Sequence, residues 1–165
     1  MDPAIRIPFS KHTLANGLDV ILHEDHRCPI VAVNLWYHVG SKNEQPGRTG
    51  FAHLFEHMMF EGSRNVKGEY VSLMERAGAN TSQGGINGTT NFDRTNYFET
   101  FPSTDENLEW ALDLEADRMV NSFIYREDLD SEMTVVRNEM ESGENSPFSV
   151  LLARTLATAY LWHNY

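Results

Sequence analysis

Strand-forming patterns fill the first part of this chain and helix-forming patterns fill the last part, and this order constrains the fold more than any other feature. Residues 30–39 are a β-branched and aromatic run, which predicts a mostly buried strand. Asn16-Gly17 predicts a two-residue turn in a hairpin over residues 12–23, and residues 91–100 follow a further strand pattern. We therefore expect an α+β fold in which an antiparallel sheet is flanked by long helices.

The helical segments share apolar residues at intervals of three and four, the spacing of one helix face. They are predicted at residues 50–60, 68–77, 127–144 and 148–161, with a further long helix behind a capping box at 103–106. The apolar stripe of the segment 127–144 consists of Leu129, Met133, Val136 and Met140. Ser146-Pro147 separates the last two helices, because proline cannot continue a helix. Residues 40–50 are predicted as a loop.

The length and the charge limit the class of protein. A chain of 165 residues matches one domain, which we place over residues 1–165. Lys and Arg number 13 against 24 Asp and Glu, a formal net charge of -11. Nucleic acids and anionic membranes attract basic surfaces, so this charge disfavours both as general partners. The single cysteine, Cys28, excludes an intrachain disulfide and a Cys-rich zinc site.

Targeting signals are absent from the sequence pattern. No apolar run approaches the ~18 residues of a membrane span. The start, Met1-Asp2-Pro3-Ala4, lacks the positive and apolar regions of a signal peptide. These features predict a cytoplasmic protein, or a periplasmic or otherwise exported one whose signal segment was removed, and they leave the compartment open.

The most informative segment is His53-Leu54-Phe55-Glu56-His57. On a helix, His53 and His57 lie one turn and about 40° apart, so both rings can reach one metal ion. Glu56 lies about 60° to the other side of His53, close to that ion without having to bind it. This H-x-x-E-H order is the inverzincin pattern. The alternative is a surface helix with two solvated histidines, but unpaired histidines among apolar neighbours would be costly.

A hydrolytic zinc site needs a third protein ligand and an open position for water. The segment 127–144 offers Glu132 and Glu139, which share a helix face about 10.5 Å apart along the axis. Both cannot easily bind one ion, so we expect one to bind it and the other to orient a histidine. The spacing leaves open which does which, and it also leaves open that both lie on a solvated face.

Residues 50–63 closely resemble the active-site helix of the pitrilysin/insulinase-type zinc peptidases, a group that includes mitochondrial processing peptidase. The resemblance covers nearly the whole chain and continues through residues 14–25, 84–90, 94–98 and 132–139. It implies a LuxS/MPP-like metallohydrolase fold, present here as an incomplete unit. It also implies the activity of a zinc-dependent metalloendopeptidase that hydrolyses peptides or unfolded polypeptides.

The same resemblance assigns roles to individual residues. It implies that His53, His57 and Glu139 hold Zn²⁺, that Glu56 activates the attacking water, and that Glu132 is a supporting second carboxylate in catalysis.

A substrate strand is implied as well. Asn87-Gly88-Thr89 resembles the family's edge strand, which pairs with an extended substrate peptide, and a plain glycine-rich turn is the alternative.

Members of this group are built from repeated α+β units, each longer than this chain, and a later unit closes the active site. The resemblance therefore implies that this chain is an N-terminal catalytic part, truncated relative to the family unit. It would need a C-terminal homologous unit or a partner subunit for activity. The aromatic end Tyr160-Leu161-Trp162 also predicts exposed apolar surface and self-association into a homo-oligomer.

Two alternatives come from other functional classes. A non-catalytic scaffold subunit of the same family would typically have lost motif residues, whereas all five are present here. S-ribosylhomocysteine lyase also carries an H-x-x-E-H helix, but it uses cysteines that follow the motif. The single cysteine of this chain, Cys28, precedes it.

Overall fold

The computed structural model describes residues 6–81, 84–161 and 163–165. Two predictions involve residues outside these ranges. The prediction about a signal peptide rests on the first four residues, and the predicted aromatic surface at the end of the chain includes Trp162. The elements follow in the order β1 (Ser10–Thr13), β2 (Asp19–Leu22), β3 (Ile30–Tyr37), α1 (Phe51–Met58), α2 (Tyr70–Arg76), β4 (Ile86–Thr90), β5 (Thr95–Pro102), α3 (Asp105–Asn121), α4 (Arg126–Glu144) and α5 (Pro147–Ala159). The predicted α+β class with antiparallel pairing is confirmed.

The central sheet has the strand order β3-β5-β4, and both pairs are antiparallel. β3 runs along β5 from Ile30 opposite Pro102 to Tyr37 opposite Thr95. β4 pairs with the other side of β5 and forms an edge of this sheet. β1 and β2 form a separate two-stranded hairpin.

The predicted hairpin is present, but the prediction of its turn is wrong. β1 and β2 pair up to Thr13 and Asp19, so the loop is longer than two residues. A type I′ turn needs positive φ at both central residues, and here Gly17 has a φ of 90° while Asn16 does not have a positive φ. The side chain of Asn16 instead accepts the N–H of Leu18 at 3.1 Å.

The prediction that residues 30–39 form a mostly buried strand is also wrong in part. β3 ends at Tyr37, and its residues alternate between exposed and half-buried. Ile30 and Trp36 are each more than half exposed, at 56% and 54%. Helices cover one face of the sheet, so the side chains on the other face meet solvent in the described chain.

The strand pattern predicted for residues 91–100 divides into a turn and a strand. Asn91 to Arg94 form the turn, in which the side chain of Asn91 accepts the N–H groups of Asp93 and Arg94 at 2.8 and 2.9 Å. β5 begins only at Thr95. The polar segment before the turn forms β4, because its backbone pairs with β5 in spite of its glycine.

The apolar core lies between the covered face of the sheet and the helices α2 and α3. It consists of Tyr70, Met74, Ala79, Ile86, Phe101, Ala111 and Leu114. α3 begins one residue later than the predicted capping box requires. Thr104, and not Ser103, is the N-cap, and its hydroxyl oxygen accepts the N–H of Asn107 at 3.1 Å.

α4 and α5 form an outer helical layer without buried residues. The predicted break between them is confirmed, since Ser146 caps α5 and Pro147 is its first residue. Met133 and Met140 of the predicted stripe are 45% and 59% exposed. Within the described ranges, no helix combines the length and the apolar character needed to cross a bilayer.

One ion pair is buried beneath the sheet. Arg118 and Glu115 of α3 are 1% and 4% exposed and pair with each other, and the guanidinium lies 4.4 Å from the ring centroid of Tyr97. Glu99 of β5, also 1% exposed, adds a second carboxyl beside the single cation. Burial, and next the negative charge of Glu115, raise the pKa of Glu99 from 4.5 to about 8. Glu99 is therefore protonated in the folded protein at neutral pH.

This assignment predicts a pH dependence of stability. Between pH 4.5 and about 8, the unfolded chain releases the proton of Glu99 and the folded chain keeps it. The free energy of unfolding should therefore fall as the pH rises, by up to about 1.4 kcal/mol per pH unit. In Glu99→Gln this fall should largely disappear in urea titrations at pH 5, 6, 7 and 8. Glu109→Gln, on an exposed position of α3, should keep the native slope, and an unchanged slope in Glu99→Gln would refute a protonated Glu99.

Candidate metal centre

α1 places its two histidines against each other. Its apolar residues Leu54 and Met58 are buried, and this orients the adjacent side of the helix toward a cavity. His53 and His57 stand one turn apart on that side with their rings edge to face, and their Nε2 atoms are 3.3 Å apart. The sequence predicts this pairing from helix geometry, and the structure brings both rings to one point.

α4 packs against α1 and brings Glu139 to the same point. Its Oε2 lies 3.3 Å from Nε2 of His53 and 3.6 Å from Nε2 of His57. A tetrahedral zinc ion with ligands at ~2.0–2.1 Å separates any two of them by about 3.3 Å. His53, His57 and Glu139 therefore lie close enough together to bind one metal ion, and their spacing fits zinc.

Glu132 contacts the other nitrogen of His57. Its Oε2 lies 2.8 Å from Nδ1 of His57, and both side chains are less than one-fifth exposed. A carboxylate oxygen accepts this hydrogen bond when His57 donates through Nδ1–H, and a neutral imidazole of that tautomer carries its lone pair on Nε2. The structure thus separates two glutamates that the spacing left equivalent, because Glu139 faces the Nε2 atoms and Glu132 does not.

The chemistry of these donors calls for a cation. The Nε2 lone pair of His57 faces Nε2 of His53 and a carboxylate oxygen of Glu139, so acceptors face acceptors. A proton on one nitrogen would satisfy one of these contacts. A metal ion at the centre would satisfy all of them at once, because imidazole nitrogens and a carboxylate oxygen are ligands for such an ion.

Glu56 lies beside this cluster and over the edge strand. A Cβ at Gly88 of β4 would lie 3.1 Å from both Cγ and Oε1 of Glu56, and 3.1 Å from Cε2 of Phe60. A side chain at this position would therefore require Glu56 or Phe60 to shift by a few tenths of an ångström. These residues enclose a cavity of about 420 Å³, lined by His53, Glu56, His57, Phe60, Glu61, Asn87, Gly88, Glu132 and Glu139.

The backbone N–H and C=O groups of Gly88 point away from the partner strand β5. Thr100 N–H donates to the carbonyl oxygen of Gly85, so the hydrogen-bonded pairs of this ladder fall at positions 85, 87 and 89. The N–H and C=O of Gly88 therefore face the open edge of β4. The N–H currently donates to the side-chain oxygen of Asn87 at 2.9 Å. Thr89 takes part differently, because its hydroxyl donates to Asn96 at 2.7 Å within the sheet.

Sequence reasoning missed two residues that line this cavity, Phe60 and Glu61. Phe60 follows Glu56 by four residues, so the helical period could have identified it. Burial, and then the charges of Glu132, Asp128 and Glu69, raise the pKa of Glu61 above its ordinary value. No sequence pattern marks Glu61, because its place depends on how α4 approaches α1.

Comparisons with known proteins show the family to which this chain belongs. Residues 19–164 match the sequence profile of the family described as "Insulinase (Peptidase family M16)". The chain is 35% identical over 156 residues to the "Zinc protease PqqE" of Helicobacter pylori. This alignment covers 93% of this chain and 34% of that protein. It is 31% identical over 158 residues to the beta subunit of the mitochondrial-processing peptidase of Bos taurus, covering 94% of this chain and 31% of that subunit.

A solved structure extends the likeness to three dimensions. The crystal structure of a protease from Helicobacter pylori superimposes with a TM-score of 0.85 at 32% identity, covering 96% of this chain and 37% of that one. The chain thus spans about a third of the length of the relatives it matches. Relatives named as zinc proteases support a zinc peptidase function at the level of the family. From the matched profile over residues 19–164, the chain belongs to the insulinase family of peptidases, family M16.

Proposed function

We propose that this chain is the N-terminal catalytic unit of a zinc-dependent endopeptidase in which His53, His57 and Glu139 hold the metal. The observation that carries the proposal is the triangle of two Nε2 atoms and one carboxylate oxygen, with sides of 3.3, 3.3 and 3.6 Å. Three protein ligands leave the fourth position of a tetrahedral site for water, as hydrolytic zinc sites require.

Glu56 is the proposed general base. A zinc ion bound here would supply Lewis acidity, polarising the scissile carbonyl and lowering the pKa of a water molecule. Glu56 lies one residue before His57 and projects into the same cavity, so its carboxylate can accept the proton of that water. The protonated Glu56 then donates this proton to the amine that leaves when the peptide bond breaks.

Glu132 is proposed to act through His57. Its hydrogen bond to Nδ1 of His57 fixes the ring orientation and keeps Nε2 directed at Glu139. Carboxylates that accept from a ligating imidazole also raise its basicity. This corresponds to the supporting second carboxylate implied by the sequence.

The substrate is proposed to bind as an added strand along β4. The outward N–H and C=O of Gly88 offer one pair of backbone contacts to an extended peptide. Such a peptide would pass directly below Glu56, since Gly88 has no side chain to separate them. Asn87 would release the N–H of Gly88 when the peptide binds, and the role of Thr89 would be to hold β4 against β5.

We further infer that the complete active site includes a homologous unit beyond this chain, either later in the same polypeptide or in a partner subunit. The relatives contain about three times the matched length. The cavity beside the triangle is open, and α4 and α5 expose apolar side chains such as Met140 and Leu151. A non-catalytic scaffold subunit is the second candidate. Cys28 is not part of the described group that could hold a metal ion, which does not favour the cysteine-dependent lyase.

Glu56→Gln tests the general base. The substitution should keep one zinc per chain and lower kcat for peptide hydrolysis by about 10²–10⁴-fold, because the amide cannot accept the proton. The assay uses a fluorogenic peptide and the enzyme that includes the homologous unit, with zinc determined by elemental analysis in the same preparation. Glu141→Gln, exposed on α4, is the matched control and should retain activity. Loss of zinc in Glu56→Gln would make Glu56 a ligand, and unchanged hydrolysis would favour a different base.

The two glutamates of α4 should differ in their effect on zinc. Glu132→Gln should weaken zinc binding by about 10- to 100-fold, as loss of a carboxylate behind a ligand does. Glu139→Gln should weaken it further, because it removes a proposed ligand. Competition titrations with a chromophoric chelator measure both, and equal losses or the reverse order would contradict the assignment.

Gly88→Ala tests the contact between the edge strand and Glu56. The added methyl requires Glu56 or Phe60 to shift by a few tenths of an ångström, so kcat/KM of the enzyme that includes the homologous unit should fall by about tenfold or more while zinc affinity stays native. Gly143→Ala is the matched control, because a Cβ there meets open space. If Gly88→Ala hydrolysed peptides at the native rate, Glu56 would not depend on this approach to β4.

A further inference from the structure

We propose that Glu44 is a positioning residue for the metal centre, because its carboxylate fixes the start of α1 relative to the hairpin that carries β4. The proposal rests on the proposed function, since α1 carries His53, Glu56 and His57. Glu44 itself lies outside the cavity that these residues line.

α1 has no cap of its own. Its N-cap, Gly50, has a φ of 94° and no side chain, and the first turn contains no acidic residue. The first N–H groups of any helix lack acceptors within the helix. In a helix of eight residues these groups are a large share of the total, so an acceptor from elsewhere in the chain matters for its stability.

Glu44 supplies two acceptors. Its Oε2 accepts the N–H of Gly50 and its Oε1 accepts the N–H of Ala52, both at 2.8 Å. A carboxylate at the positive end of a helix is also favoured by the helix dipole. Because the two N–H groups are two residues apart, the carboxylate restricts both the rotation and the displacement of the first turn. Ala52 directly precedes His53, so this restriction reaches the first proposed ligand.

The loop that carries Glu44 is attached to the turn between β4 and β5. Ser41 N–H donates to the carbonyl oxygen of Asn91 at 3.3 Å, and Lys42 N–H donates to that of Phe92 at 2.9 Å. The approach is so close that a Cβ at Gly40 would lie 2.3 Å from the carbonyl oxygen of Asn91. The loop and the turn therefore form one packed body, from which the carboxylate of Glu44 extends to α1.

Glu44 thus connects the two halves of the proposed active site. One half is α1 with His53, Glu56 and His57, and the other is the hairpin with Gly88. A Cβ at Gly88 would lie 3.1 Å from Cγ and Oε1 of Glu56, so the side chain of Glu56 lies directly over the backbone of Gly88. A misplacement of about 1 Å can cost 10²-fold in rate, so the position of α1 on this hairpin has a direct consequence for catalysis.

The test compares Glu44→Ala with Thr104→Ala, because each removes a side-chain cap from one helix. Thr104 caps α3, far from the proposed ligands in sequence, so Thr104→Ala should lower only the urea midpoint of unfolding. Glu44→Ala should lower the midpoint by a similar amount and also weaken zinc affinity by about tenfold. Glu44→Gln should give an intermediate loss, because its amide oxygen can accept one of the two N–H groups.

Zinc affinity is measured on the full chain by chelator competition, and the visible spectrum of the cobalt-substituted protein reports the geometry of the site. A changed cobalt spectrum in the Glu44 variants, with the native spectrum in Thr104→Ala, supports the proposal. Native zinc affinity and spectrum in folded Glu44→Ala would overturn it; should that variant not fold, the same result in Glu44→Gln would overturn it. A native chain that binds no zinc would instead overturn the proposed function, on which this assignment depends.

Discussion

The imidazole of His57 lies between two carboxylates of α4, with Nδ1 contacting Glu132 and Nε2 facing Glu139. The position of α4 depends on these two contacts. α4 has no buried residue, so apolar packing alone holds it weakly to the rest of the chain. Its polar contacts with α1 are the bond from His57 to Glu132 and the approach of Glu139 to both histidines. If a metal binds at the triangle, its binding energy adds to the attachment of α4, because a ligand that binds only the folded state stabilises it.

A second set of contacts connects the cavity to the buried ion pair. Phe60 lies above Gly88 on one side, and its ring centroid is 5.6 Å from that of Tyr97 on β5. The guanidinium of Arg118 lies 5.4 Å from the ring centroid of Phe60 and 4.4 Å from that of Tyr97. The floor of the proposed site is thus an aromatic layer over a charged centre in the core. Tight packing of this kind holds a catalytic side chain better than a mobile loop does.

The sequence predicted those features that depend on local geometry. The pairing of His53 and His57 follows from the helical repeat alone, and so does the two-turn separation of Glu132 and Glu139. Which glutamate meets the Nε2 atoms depends on how α4 crosses α1, and no periodicity within one helix contains that angle. The resemblance to a family implies an assignment of the two glutamates that their spacing leaves open.

Other features could not be predicted because pairing overrides local preference. β4 contains a glycine and polar residues, yet it is a strand since β5 provides its partners. An apolar stripe such as that of α4 is typical of a helix face that packs, whereas Met133 and Met140 are 45% and 59% exposed in the described chain. The cap that Glu44 provides to α1 spans six to eight residues of loop, which lies outside the range of capping patterns.

X-ray absorption at the zinc edge, on chain loaded with one equivalent of zinc, tests the central claim most directly. Two imidazole nitrogens and carboxylate or water oxygens at ~2.0–2.2 Å, without sulfur at ~2.3 Å, is the result expected for His53, His57 and Glu139. The imidazole signal should fall by half in His57→Ala if zinc still binds. A sulfur ligand, or a native imidazole signal in His57→Ala, would contradict the assignment of this triangle as the metal site.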